Sequence, residues 1–306
     1  MKILLTGATG FIGQHVAIRH SEHLKFVRVV RKFEPSDSKD SIVVHSVDSN
    51  VDWRGKFYGI DAVIHLAGIA HSKNISNGEY TEINTNGTLH LAVEAARAGV
   101  KRFVFVSSIG VNGALTHESS FTEQSIAKPH NSYAQSKYEA ELGLKKIAQE
   151  TGLEVVIVRP TLVYGANAPG NFGLLTMLVK KLPVLPFGLV NNKRNFIAVQ
   201  NLADLLITCV SHPNAAGHTF LATDMKPISI KEFTSAIADG LGRQVVQLPI
   251  SVSFMRLVGK AIGKSAMVEQ FLGNLQVDSS NIKKVLGWTP PLTMQQAMAT
   301  LRDSGK

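Results

Sequence analysis

The sequence predicts an α/β fold, a doubly wound parallel sheet followed by a smaller, mostly helical C-terminal lobe. Three observations predict it. The chain opens on an uninterrupted apolar run, Ile3, Leu4 and Leu5, as strands buried on both faces do. Gly7, Gly10 and Gly13 follow directly and mark a turn. Short β-branched runs then alternate with helix-length segments through Pro160, the rhythm of strand, helix and parallel strand.

Taken in order, the strands after the first are "KFVRVV" at 25–30, "SIVVHSVD" at 41–48, "DAVIHLAG" at 61–68, "RFVFVSS" at 102–108 and "EVVIVRP" at 154–160. Helical stretches such as "TNGTLHLAVEAARAG" separate them. Residues 165–195 are rich in Gly, Pro and Asn and read as loop and short helix. An apolar-faced helix at 201–212 and a strand at 218–223 return to the sheet, and "ISIKEFTSAIADGLG" begins the helical remainder. These readings divide the chain into one domain of residues 1–164 and 196–224 and a second lobe of 165–195 and 225–306, with a cleft between them. The stretch "SVSFMRLVGKAIGK" (251–264) is apolar with spaced basic residues; it reads as a helix packed within the small lobe in preference to one lying on a membrane surface.

Composition narrows the function. With 306 residues, 44% hydrophobic and 18% charged, the chain buries a large core and is not disordered. The single Cys209, within "LLITCVSH", excludes a disulfide framework and a cysteine metal site and reads as a core thiol; no metal is expected. No charged leader precedes an apolar segment and no window reaches the length of a membrane span, so a cytoplasmic protein is expected. The formal charge of +9 is scattered, without a basic stretch interleaved with aromatics. It fits a phosphate-bearing small molecule and calls for no nucleic acid.

The glycine turn suggests which molecule. A tight turn into a helix needs residues that tolerate positive φ and leave the backbone open, and the N–H groups at a helix start attract a pyrophosphate. Gly7, Gly10 and Gly13 supply that pattern, Gly13 permitting close helix–strand packing. A dinucleotide site for an unphosphorylated ribose usually ends its second strand on an acid; here Arg31 and Lys32 stand there. A guanidinium pairs with a 2′-phosphate, so NADP(H) is favoured and NAD(H) remains open.

Tyr133 and Lys137 in "SYAQSKYEAE" are four residues apart and share a helical face. A phenol titrates near 10, and a neighbouring ammonium would lower that value toward a useful base. Ser107 and Ser108 end the "FVFVSS" strand at the carboxyl edge of the sheet, where Ser108 would bond the substrate oxygen whose proton Tyr133 handles. Capping or a local turn is the alternative for Ser107.

Over most of its length the sequence resembles the extended short-chain dehydrogenase/reductases, which have a Rossmann fold. "TGATGFIG" is similar to their TGxxGxxG turn, "HLAG" to the end of their fourth strand, "INTNGT" to a structural segment at Asn84, "VSSIGVNG" to the serine loop and "YAQSK" to YxxxK. "RPTLVYG" resembles the strand bordering the nicotinamide, "RNFIAVQNLADLL" the RDxIxVxDLA segment, and "LGWTPP" the tail of nucleotide-sugar members. The resemblance implies Tyr133 as acid/base, Lys137 lowering its pKa and holding the ribose, and Ser108 orienting the sugar oxygen. It implies that Gly7, Gly10, Phe11, Ile12 and Gly13 line the pyrophosphate, Asp48 meets the adenine, and Leu66, Ala67, Pro160 and Val163 border the cofactor. Arg194 would contact the substrate diphosphate, although Asn195 replaces the family's following aspartate. Asn171 and Phe172, with Asn167, are candidates for shaping the sugar pocket. A homodimer through the helix carrying Tyr133 and the segment after Asn84 is implied as well.

Three chemistries compete on a nucleotide-diphosphate sugar. A 4,6-dehydratase of this family carries an acidic pair after the serine, where Ile109 and Gly110 stand, so dehydration is disfavoured. A 4-ketoreductase and a 4-epimerase both fit; Arg31 tilts the balance to reduction of a 4-keto sugar nucleotide. A dinucleotide sensor without activity is the third reading, and the presence of both Tyr133 and Lys137 weighs against it.

Overall fold

The computed structural model describes residues 1–19, 23–33, 41–70 and 75–302. In chain order it runs β1 (Lys2–Thr6), α1 (Phe11–Ala17), β2 (Lys25–Val30), β3 (Ser41–Val43), β4 (Ala62–His65), α2 (Asn77–Tyr80), a π-helical turn (Thr81–Asn86) and α3 (Gly87–Arg97). Next come β5 (Arg102–Val106), α4 (Ser132–Thr151), β6 (Glu154–Pro160), β7 (Leu162–Tyr164), α5 (Gly170–Lys181), β8 (Val184–Leu185), β9 (Phe196–Ala198), α6 (Val199–Ser211) and β10 (Thr219–Ala222). The chain closes with α7 (Ile230–Gly240), β11 (Val246–Gln247), α8 (Val252–Ala261), α9 (Ser265–Leu272), α10 (Ser280–Leu286) and α11 (Met294–Ala299).

Among the described residues, seven strands form one sheet in the order β10-β6-β5-β4-β1-β2-β3, every pair parallel. The doubly wound prediction holds, and β1 shows why its sequence does not alternate. Ile3 and Leu5 pack into the core beneath α6, while Leu4 packs on the opposite face with Leu91 of α3 and Leu144 of α4. Both faces are covered, so every position is apolar. Cys209 is a fully buried residue of α6 whose thiol burial pushes up to about 12, consistent with a packing role.

Two readings of local structure change. The 41–48 strand pairs only over Ser41–Val43, and the segment beyond it, through Asp48, runs past the start of α3. The Gly- and Asn-rich 165–195 segment contains a twelve-residue helix, α5. Its breakers sit at the helix entrance, with Pro169 in extended conformation at the cap and Gly170 at φ +68°. Phe172, Leu175 and Val179 then repeat at helical spacing and are buried. Those residues join Phe187, Phe196, Phe233 and Ile237 in a core separate from the two that flank the sheet.

The order of strands reverses between β1 and β4, and at such a point the connections leave in opposite directions and open a crevice at the carboxyl ends. Thr6 and His65 end their strands in register there.

Candidate active site

A cleft of about 710 Å³ opens at this crevice. Its floor is the glycine turn. Gly7 has φ +67°, and a Cβ there would lie 2.8 Å from the Ala67 nitrogen, while at Gly13 it would lie 2.1 Å from the Gly7 carbonyl oxygen. Neither position accommodates a side chain, so α1 starts against β1 and the turn's backbone stays uncovered. Thr6 braces the facing loop, its hydroxyl accepting from the Leu66 and Ala67 N–H groups at 3.2 Å each.

One wall rises from β5, β6 and α4. Asn131 caps α4 by accepting from the Ala134 N–H at 2.8 Å, and Tyr133 and Lys137 occupy its first turns. The Tyr133 ring stands edge-on to Tyr80, 6.3 Å between centroids. Lys137 is buried, donating to the Val106 carbonyl at 3.0 Å and lying 4.7 Å from the Phe105 ring centroid. Behind it Glu141 and Arg159 form a buried ion pair at 2.5 Å. Ser107 donates to Glu141, and Arg159 donates to Asn112 at 2.9 Å. A fully paired network of this kind fixes α4 against β6 and hence the heights of Tyr133 and Lys137 above the sheet.

Two details of this wall could not be read from the sequence. The serine engaged in a cap is Ser108, whose hydroxyl accepts from the Gly110 N–H at 3.1 Å; Ser107 is turned inward to Glu141. In the protein by itself the Tyr133 phenol is not lowered. Burial pushes it up to about 12, against an opposing pull from its hydrogen bond with Ser108. Burial also pulls the Lys137 ammonium down to about 8, with Glu141 resisting. Desolvation of both groups outweighs their attraction to neighbours, a term that spacing alone does not reveal.

The other wall comes from the segments after β6 and from the last third of the chain. Arg194 lines it, donating to the Gly273 carbonyl at 2.8 Å. Burial draws its guanidinium down to about 10, and no carboxylate of the described residues pairs with it. Asn195 is occupied, donating to the Met225 carbonyl and accepting from the Val277 N–H. Asn171 lines the same wall and approaches Gln270 at 3.4 Å.

Gly7, Gly10, Phe11, Ile12, Gly13, Leu66, Ser108, Tyr133, Lys137, Pro160, Val163, Asn171 and Arg194 thus come together around one cleft. Others do not. Phe172 is 2% exposed and packs against Tyr164 and Phe233 behind the wall, because the helix turns it to the core; it is no substrate contact. Ala67 lies behind Gly7, meeting it through its backbone. Arg31 and Lys32 are exposed just past β2, and the Asp48 carboxylate accepts from the Asn50 N–H beyond β3, so these three sit at the carboxyl edge two strands away from β4 or farther, outside the cleft. Asn84 is fully buried and ties the loop after β4 to α4, exchanging hydrogen bonds with the Ile69 backbone and donating to Ser136. Sequence reasoning missed Tyr80, His130, Gln270 and Phe271, which line the cleft without a motif to mark them.

With that geometry in view, the profile of the NAD dependent epimerase/dehydratase family matches residues 3–222. The chain belongs to this family. It is 38% identical over 302 residues to a UDP-glucose 4-epimerase of Vibrio cholerae, covering 96% of this chain and 92% of the relative. Solved structures share the fold. A short-chain dehydrogenase/reductase superfamily protein from Agrobacterium tumefaciens with bound NAD superposes with a TM-score of 0.80 at 18% identity, covering 100% of this chain and 97% of that one. RMD from Pseudomonas aeruginosa complexed with NADPH gives 0.74 at 21% identity, covering 99% and 98%.

Proposed function

We propose that this chain is a nicotinamide-dependent enzyme that interconverts the C4 epimers of a nucleotide-linked hexose. The observation that carries the proposal is the gathering of Ser108, Tyr133 and Lys137 on one wall of a cleft whose other wall presents Arg194, paired with no carboxylate of the described residues. The Vibrio cholerae relative, named for 4-epimerisation of UDP-glucose, supports this choice of reaction over others.

The floor of the cleft fits a dinucleotide. A pyrophosphate needs backbone approach without side chains, and Gly7 and Gly13 are positions that a Cβ would fill. Gly10, Phe11 and Ile12 would flank it, with Leu66, Pro160 and Val163 bordering the ring. When bound, the nicotinamide supplies a hydride acceptor and donor at C4.

The chain's own residues handle the proton and the charges. Tyr133 takes the proton of the C4 hydroxyl as that carbon is oxidised and gives it back as it is reduced. Ser108 bonds the same oxygen. Burial keeps the phenol protonated in the protein by itself, against the pull of the Ser108 hydrogen bond; during the reaction the Lys137 charge and the amino end of α4 would favour the phenolate further. Arg194, which pairs with no carboxylate of the described residues, would pair with the diphosphate. No acid follows Ser108 to remove water from the sugar, since Ile109 and Gly110 occupy those places.

A second reading, reduction of a 4-keto sugar nucleotide, is favoured by Arg31 and Lys32 at the end of β2, which suit the 2′-phosphate of an exchanging NADPH. One experiment separates the two. The pure protein is incubated with UDP- and dTDP-linked hexoses, native and 4-keto, while product identity and reduced-nicotinamide absorbance are followed together. Epimer conversion without net absorbance change supports the proposal. Stoichiometric NADPH consumption supports the second reading, and binding without turnover overturns both.

A further inference from the structure

The helix α8 presents three faces, and only one of them is used by the fold. Val252, Met255 and Gly259 turn inward, the first two packing on the small-lobe core. A Cβ on Gly259 would lie 2.5 Å from a Val268 methyl, so this glycine lets α8 lie close against α9. The second face carries Phe254, Leu257, Val258 and, just past the helix end, Ile262, which are 56%, 64%, 41% and 60% exposed. They follow at the i, i+3, i+4, i+8 spacing of a continuous apolar stripe. A soluble helix normally turns such a stripe to the core; here it faces out. Val246 and Leu248 nearby are exposed as well. The third face carries Arg256 and Lys260, one helical turn apart, and Lys264 follows in the turn between α8 and α9.

Charge decides what this stripe fits. Between Asp239 and Glu269 the only charged residues are Arg243, Arg256, Lys260 and Lys264, all basic. Arg256 is paired with Glu269 at 2.7 Å, whereas Lys260 and Lys264 form no ion pair with any described residue. A second copy of the chain packing symmetrically through this stripe would bring two sets of these lysines together. An anionic lipid surface satisfies both faces at once, taking the apolar side chains into the headgroup boundary and the lysines among the phosphates.

We propose that α8 is an interfacial helix that docks the small lobe on an anionic membrane surface. The sequence segment 251–264 therefore does two things: its inner face packs within the lobe and its outer face binds lipid. Through its contact with α9, whose Gln270 lines the cleft, α8 holds the site one helix away from that surface. The proposal does not depend on which reaction the cleft carries out.

The test is sedimentation of the full chain with phospholipid vesicles, either purely zwitterionic or containing a third of an anionic phospholipid. Binding to the anionic vesicles at low salt, with little to the zwitterionic ones and release at high salt, is expected. Lys260→Gln combined with Lys264→Gln should weaken it about thirtyfold, by the usual contribution of two basic residues at an anionic surface. Phe254→Glu with Leu257→Glu should abolish it while leaving the melting temperature and dinucleotide binding unchanged, since both side chains are exposed. Absence of binding to anionic vesicles overturns the proposal, as does binding that survives the Glu variants. A concentration-dependent dimer that the Glu variants dissociate, without vesicle binding, assigns the stripe to a second copy instead and overturns it too.

Discussion

The two walls of the cleft are built by different rules. On the sheet side the buried polar groups behind the chemistry are paired with one another: Lys137 on the Val106 carbonyl, Glu141 on Arg159 and Ser107, Asn84 on Ile69 and Ser136. On the small-lobe side Arg194 rests on a single carbonyl and Asn171 on one long contact. The first wall is finished before any ligand arrives, as a site must be when it has to hold a reacting oxygen within tenths of an ångström. The second leaves a half-buried cation for a ligand to complete, which is how binding energy is reserved for substrate.

The largest effect expected from breaking this contrast is Tyr133→Phe. Losing an acid/base group on the finished wall should cut turnover about 10³-fold while leaving substrate and dinucleotide affinity in place. Steady-state kinetics beside a binding titration checks it; turnover within a few-fold of wild type would remove Tyr133 from the chemistry. On the unfinished wall, Arg194→Ala should raise KM about tenfold to a hundredfold with a smaller change in kcat, the signature of lost charge-assisted binding. A pure kcat loss would instead place Arg194 on the reacting atoms. Away from both walls, Arg31→Ala should shift the ratio of NADP(H) to NAD(H) affinity about tenfold toward NAD(H). An unchanged ratio would leave Arg31 a surface residue and remove the chief support for the reductase reading.

The smallest effect concerns stability. His65 is fully buried between the Thr6 and Thr88 hydroxyls, and desolvation lowers its pKa to about 3. Its folded pKa lies below the unfolded value near 6.5, so the unfolded chain takes up the proton first as pH falls. The stability this residue contributes is complete above about pH 6.5 and declines progressively toward about pH 3; from about pH 7 to about pH 5.5 the loss is about 1 kcal/mol. Denaturant midpoints at the two pH values measure it. A slope unchanged by His65→Gln would assign the acid sensitivity elsewhere.

The same contrast explains what the sequence disclosed. The finished wall was legible because its residues follow strand ends and early helix turns, where direction is fixed by the sheet: Gly7 after β1, Ser108 after β5, Tyr133 and Lys137 one turn apart on α4. Burial was not legible from spacing, and in the protein by itself it pushes the Tyr133 phenol up. On the small-lobe side local signals misled. The glycines and proline that open α5 hid its helical register, and Phe172 went to the core instead of the pocket. Gln270 and Phe271 reach the cleft from a segment more than a hundred residues beyond Tyr133, and no local pattern announces such a contact.

The account's central claim is that C4 of the sugar loses a hydride and receives it back within this cleft while Tyr133 moves only the hydroxyl proton. The direct measurement is turnover of a UDP-hexose carrying deuterium at C4, with the product analysed by mass spectrometry and NMR. Retention of the deuterium in the epimerised product is the predicted result. Its replacement by hydrogen from solvent would mean that C4 is deprotonated, and would contradict the account.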